Sequence, residues 1–259
     1  MKTRVRQAFN RAAPSYTGAA DIQRRVAVRL AAHLPPDLAP GLIIDAGCGT
    51  GLGLPLLHRA WPQASIVAVD LAERMLTQLR HENRPAGHAA VCGDVEFLPL
   101  ADACADFYWS SLSLQWCALP AALGEARRVL KPGGRLAFAT VTGETFHELR
   151  SAFAGIDEYS HSLDFLPPAA IEAAVVAAGF VAPTLRRETI VASYADLKTL
   201  LRAVRQVGAS EIAGERRRGL LGKDSWRQVD ARYRRGEDGL CPLTYDVLYV
   251  MARRAEEHR

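Results

Sequence analysis

The residues best suited to chemistry fall in one short stretch, Leu42-Ile-Ile-Asp45-Ala-Gly47-Cys-Gly49-Thr-Gly51. An apolar run delivers the chain to three glycines at alternate positions. Glycine lets a backbone turn sharply and lets a ligand approach its N–H groups closely. Two phosphate-binding readings fail here. A dinucleotide loop has the pattern G-x-G-x-x-G, but the sixth position is Leu52 counted from Gly47 and Leu54 counted from Gly49. A mononucleotide loop ends in Gly-Lys-Ser/Thr, and no lysine follows. The pattern that remains is an acid two residues ahead of G-x-G-x-G. More acids close later apolar runs: Asp70, 25 residues after Asp45, and Asp94 after Gly93. The polar stretch Ser110 to Gln115 follows a fourth run. The seven histidines are scattered without ligand spacing, and His33, His58 and His81 read as helix-surface residues. No Ser-His-Asp set and no metal site is expected. The five cysteines (Cys48, Cys92, Cys104, Cys117 and Cys241) are odd in number and include no C-x-x-C pair. They read as small core residues rather than disulfides or zinc ligands.

Taken in order, these residues resemble the motifs of class I S-adenosylmethionine-dependent methyltransferases. The resemblance implies that Asp45 and the backbone of Gly47, Gly49 and Gly51 hold the methionine end of the cofactor. It implies that Asp70, followed by Leu71, takes the ribose hydroxyls, that Asp94 and Val95 flank the adenine, and that Ser110 lies beside the methyl group. Arg127-Arg-Val-Leu-Lys-Pro-Gly-Gly-Arg135 would lead into the fifth strand. Longer stretches are similar to the malonyl-acyl-carrier-protein O-methyltransferase family of biotin synthesis. They are Ala8-Phe-Asn-Arg-Ala-Ala-Pro-Ser-Tyr16 with Gln23, Trp109-Ser-Ser-Leu-Ser-Leu-Gln-Trp-Cys117, Phe165-Leu-Pro-Pro168 and Pro242-Leu-Thr-Tyr245. That family implies methyl transfer to the free carboxylate of a malonyl thioester, presented by acyl carrier protein or as malonyl-CoA. Tyr16, Gln115 and Trp116 would then line the transfer pocket. A buried carboxylate needs a cationic partner, and Arg202 and Arg205 are the candidates. The alternatives are a methyltransferase of the same fold acting on another small acid or a quinone ring, and a cofactor-binding protein without catalysis.

The elements that must position these residues follow from the pattern. The chain has 259 residues, 49% apolar and 23% charged, with a formal net charge of +4. Such composition excludes a disordered chain. A collagen-like chain is excluded because its glycines have no period. No apolar run is long enough to span a membrane, and no apolar segment follows the basic start as a signal peptide requires. The weak net charge speaks against nucleic acid. A soluble cytoplasmic protein is expected. Strand-like runs at 42–45, 66–70, 89–92, 106–110, 135–141, 180–192 and 245–253 alternate in the first half with helical patterns at 22–34, 52–59, 72–80 and 119–130. A turn is expected at Lys131-Pro-Gly-Gly134, and another helix at 168–178. Alternating strands and helices argue for a parallel sheet covered on both faces. With the resemblance, this gives an α/β, Rossmann-like class I methyltransferase fold: a mostly parallel seven-stranded sheet in one domain. Residues 1–40 form a helical arm, 41–192 the cofactor-binding core, 193–242 a helical lid insertion with helices at 195–206 and 224–235, and 243–259 the last strand and tail. From Arg202 to Arg235 there are ten Lys or Arg against four Asp or Glu, a net +6. This includes Arg216 to Arg218, and it reads as a landing patch for an acidic partner.

Overall fold

The apolar run after Gly41 forms β1 (Leu42–Ala46). The computed structural model describes residues 2–82, 87–156, 165–208 and 222–256. Two helices precede β1: α1 (Lys2–Ala19) and α2 (Asp21–Ala31). After it come α3 (Leu54–Ala60), β2 (Ser65–Asp70), α4 (Glu73–His81), β3 (His88–Cys92) and β4 (Ala105–Ser111). A 3₁₀ turn at Leu114–Trp116 leads to α5 (Leu119–Val129) and β5 (Leu130–Val141). The second half holds α6 (His147–Phe153), α7 (Pro168–Ala177), β6 (Phe180–Tyr194), α8 (Leu197–Gln206), α9 (Lys223–Arg232) and β7 (Cys241–Arg254).

The seven strands form one sheet in the order β3-β2-β1-β4-β5-β7-β6. The first five are parallel, and β7 runs antiparallel to both β5 and β6. This is the expected α/β fold. Alternation along each strand feeds two cores, because successive side chains point to opposite faces. Ile43, Phe107 and Trp109 pack with α2, α3, α4 and α8 on one face. Ile44, Tyr108 and Phe138 pack with α5 and α7 on the other. Strand order reverses between β1 and β4, and in such sheets ligands bind beyond the carboxyl ends of the strands at that switch point.

Two local expectations are corrected. The helix expected to reach Leu34 stops at Ala31, ahead of the prolines. The turn expected at 131–134 lies inside β5: Leu130 pairs with Ala105 and Arg135 with Phe107, so these four residues bulge out of register. The N-terminal arm is one continuous helix through Pro14 as far as Ala19. The connection between β6 and β7 carries α8 and α9, and the Arg216–Arg218 patch lies outside the described residues. Among the described residues, no helix is long and apolar enough to cross a membrane, no group of His, Cys, Asp or Glu could hold a metal ion, and all five cysteines are free.

Candidate active site

The chain leaves β1 and turns over the ends of β2 and β4. The N–H groups of Gly47 and Cys48 both donate to the Val69 carbonyl, at 2.8 and 3.0 Å, and pin the loop to the end of β2. Gly47 takes φ +72° and Gly49 φ +54°. A Cβ on Gly47 would lie 1.9 Å from Ser113 Oγ, so glycine there lets the segment after β4 close on the loop. A Cβ on Gly49 would meet only the Tyr16 ring, at 3.7 Å. Gly51 lies against Leu54 and Leu79 and packs the loop rather than facing the cavity.

Between this loop and α1 lies a cavity with about 650 Å³ of free space, its open mouth included. Its floor is Gly47, Gly49, Asp70 and Leu71. One wall is Asp94, Val95 and Glu96. The other is Ser111, Leu112, Ser113, Trp116 and Cys117. The roof is a stripe of α1, Lys2, Val5, Phe9 and Tyr16, whose spacing of three, four and seven puts these residues on one helix face.

The roof is fastened at several points. Ala12 and Ala13 pack against Ala72 and Met75. Asn10 Oδ1 accepts the Arg74 N–H at 3.0 Å. Thr17 Oγ1 donates to Glu82 Oε1 at 2.5 Å and lies 2.8 Å from Thr50 Oγ1 in the glycine loop. Lys2 Nζ reaches Asp94 Oδ2 at 2.5 Å and Glu96 Oε2 at 2.9 Å. The Phe9 ring stands edge-on to Trp116, with centroids 5.6 Å apart.

Asp70 ties the floor together. Its Oδ2 accepts the Gly49 N–H at 2.8 Å and its Oδ1 the Ala72 N–H at 2.7 Å. Each carboxylate oxygen keeps a second lone pair for a ligand hydroxyl. Burial pushes the Asp70 carboxyl up to about 6, against the pull of those two N–H groups. Asp45 sits below the loop, buried, with Oδ2 unpartnered among the described residues. Burial, with the nearby Asp70 charge, raises its carboxyl to about 7. Two such carboxyls suit a ligand that carries positive charge.

Of the residues singled out from sequence, Tyr16, Gly47, Gly49, Asp70, Leu71, Asp94, Val95 and Trp116 meet at this cavity. Others lie elsewhere. Ser110 is fully buried, and its hydroxyl donates to the Ala46 carbonyl at 2.8 Å. Strand alternation turns Ser111 to the cavity instead. Gln115 does not line the cavity. Its Nε2 donates to the Leu112 carbonyl at 2.8 Å, and its Oε1 accepts from Thr140 Oγ1 at 3.4 Å. It thereby braces Leu112, a residue at φ +52°, a conformation that strains a branched side chain. Arg202 and Arg205 are exposed on α8, away from the cavity lining. Sequence reasoning missed Lys2, Phe9 and Glu96. The stripe from Lys2 to Tyr16 is legible as helix spacing, but nothing in it shows which face meets the site.

The methyltransferase-domain family matches residues 44–138, the span from β1 to β5 that holds the glycine loop and the acid ending β2. The solved geranyl diphosphate C-methyltransferase of Streptomyces coelicolor A3(2) shares the fold, with a TM-score of 0.53 at 18% identity over 91% of this chain and 79% of that one. So does the YcgJ protein of Bacillus subtilis, with a TM-score of 0.60 at 14% identity over 84% and 93%. Relatives closer in sequence narrow the class. The malonyl-[acyl-carrier protein] O-methyltransferase of Dechloromonas aromatica is 46% identical over 98% of this chain and 95% of its own length. That of Herminiimonas arsenicoxydans is 42% identical over 98% and 96%. The chain belongs to the malonyl-[acyl-carrier protein] O-methyltransferase family.

Proposed function

We propose that this chain transfers the methyl group of S-adenosylmethionine to the free carboxylate of a malonyl thioester carried by acyl carrier protein, giving the methyl ester that primes pimeloyl synthesis for biotin. One observation carries the reading: the glycine loop, Asp70, Asp94 and the α1 residues Phe9 and Tyr16 converge on one cavity. When bound, S-adenosylmethionine supplies a methyl group on a cationic sulfonium, the electrophile of the reaction. The residues fit such a ligand. Gly47 and Gly49 leave room for the methionine end to approach the backbone. Asp70 has lone pairs left for ribose hydroxyls, and Asp94 and Val95, in the cavity wall, would read the adenine edge. Asp45 and Asp70 favour the positive charge.

Methyl transfer from a sulfonium needs alignment and exclusion of water more than acid–base help. A malonyl carboxylate is ionised at neutral pH, since its unperturbed pKa lies near 4 as for Asp or Glu. No general base is required of the chain. Phe9, Tyr16 and Trp116 exclude water, and the Ser111–Ser113 segment sets the wall against which the acyl group aligns. Gln115 acts on that wall from behind rather than by contact.

The test is product mass analysis after incubation with S-adenosylmethionine and malonyl carrier protein, with malonyl-CoA, a small tricarboxylic acid and a quinone in parallel. A gain of one methyl on the thioester-bound malonyl group supports the reading. Methylation of the tricarboxylic acid or the quinone instead overturns it.

A further inference from the structure

Helices α1 and α8, which meet behind the cavity residue Phe9, carry cations and no acid. Helix α1 holds Lys2, Arg4, Arg6 and Arg11, and α8 holds Lys198, Arg202 and Arg205; neither contains Asp or Glu. The helices touch: Ser15 Oγ, which donates to the Ala12 carbonyl at 3.1 Å, lies 3.4 Å from the Gln206 carbonyl, and Gly208, just past α8, lies under the Phe9 ring, where a Cβ would come within 2.8 Å. Phe9 is the same ring that lines the cavity and meets Trp116.

The charges are arranged as well as numerous. Arg4 and Ser15 are about three turns apart, so they share one face of α1, the face on which Ser15 meets α8. Lys198, Arg202 and Arg205 are spaced by four and three and share one face of α8. That face is exposed, while Leu197, Leu200 and Val204 are buried on the other side. The Lys2 charge is taken up by Asp94 and Glu96 inside the site. Asp196 caps α8 by accepting the Thr199 N–H at 2.6 Å. The other basic helix near the mouth, α2, spends Arg24 on Asp21 and the Thr17 carbonyl, and Arg29 on Glu188.

We infer that the α1–α8 saddle is the docking surface for a carboxylate-rich carrier domain, which rests there while its tethered malonyl thioester enters beside Phe9. This rests on the function proposed above and assigns its partner a place. It also gives Arg202 and Arg205 a different task from the one the sequence suggested: they meet the partner's carboxylates, not the substrate's. A rim with an excess of one sign steers encounter and sets partner choice more than it tightens the complex. It loses force as salt shortens the reach of charge to about 8–10 Å at physiological ionic strength. Each exposed pair contributes little alone, so several must be changed together.

The experiment reverses three charges that lie outside the cavity, Arg4→Glu, Lys198→Glu and Arg202→Glu, in the full chain. Two substrates are compared at low salt: malonyl carrier protein and the malonyl thioester of N-acetylcysteamine. Binding of the carrier protein is measured separately by titration, without turnover. The inference expects kcat/KM for the carrier substrate to fall by at least about tenfold, carrier binding to weaken equally, and kcat/KM for the small thioester to stay within about twofold. Wild-type KM for the carrier should rise with salt while that for the small thioester does not. Carrier kinetics and binding equal to wild type at low salt would overturn the inference, and so would an equal loss on both substrates. If the reversed variant does not fold, Arg4→Gln, Lys198→Gln and Arg202→Gln serve, with a smaller loss in the same direction. A wild-type chain that methylates neither thioester would refute the proposed function alone, because the titration still reports whether the acidic carrier binds the saddle.

Discussion

Asp70 has two jobs at once, and its removal should show both. It holds the Gly49 and Ala72 N–H groups, and it offers its remaining lone pairs to the cofactor. Loss of charge-assisted hydrogen bonds costs about 1.5–3 kcal/mol, so Asp70→Ala should weaken cofactor binding by roughly 10- to 150-fold with the fold kept. Calorimetric titration checks this, and an unchanged affinity would remove Asp70 from the site. Gly47 is less forgiving still, because even a methyl group there collides with Ser113. Asp45 and Asp70 also predict a pH effect. Their carboxyls are raised to about 7 and about 6, above the ordinary value of 3.8. The ligand-free fold therefore holds protons that the unfolded chain has released. Its stability from these two groups is present at low pH and is lost as pH rises through 6 to 7. A cationic ligand favours the ionised forms, so its binding should release protons and tighten between about pH 5.5 and 7.5. Titrations at pH 6.5 in buffers of different ionisation enthalpy measure that release. Heats that do not depend on the buffer would contradict it.

At the scale of elements, the segment after β4 shows what could and could not be read from the sequence. The strand is legible from its apolar run, and the polar stretch after it supplies Ser111 and Ser113 to the cavity wall. The sequence does not say which of two adjacent serines faces the cavity, since alternation fixes the pair but a one-residue difference in phase exchanges them. It also does not say that Gln115 points away from the cavity to brace Leu112. That placement gives a test. Gln115→Ala and Gln115→Glu both remove the donor to the Leu112 carbonyl, and each should lower kcat by about tenfold, the worth of about one such bond. A Glu variant with wild-type kcat would show that shape, not the hydrogen bond, is what Gln115 provides. The sheet itself was legible almost throughout, because apolar runs and end-of-strand acids are local signals. The bulge at 131–134 and the docking of α1 were not, because each depends on a partner far away in sequence. Lys2 meets Asp94 across 92 positions.

For the molecule as a whole, the absence of a required base predicts a flat response. At saturating cofactor and substrate, kcat should vary little between about pH 6 and 8, since the malonyl carboxylate is already ionised there. The contrast with the pH-dependent cofactor affinity is the point of the measurement. A steep rise in kcat with an apparent pKa near 7 would indicate a base, and hence an alcohol, amine or carbon nucleophile.

The chamber's ceiling is made from the chain's own first helix, and so it acts as a clock. A product released by lifting α1 must break the Thr17 contacts with Thr50 and Glu82 and the Asn10 contact with Arg74. Such openings run on microseconds to milliseconds or slower, and product release then sets the pace. The first turnover should therefore outrun those that follow, and a rapid-quench time course should show a burst close to one methyl ester per chain. Thr17→Val, which gives up both hydroxyl contacts, should speed the later turnovers and shrink the burst. A linear time course from the first milliseconds would mean that the helix lifts faster than the methyl group moves.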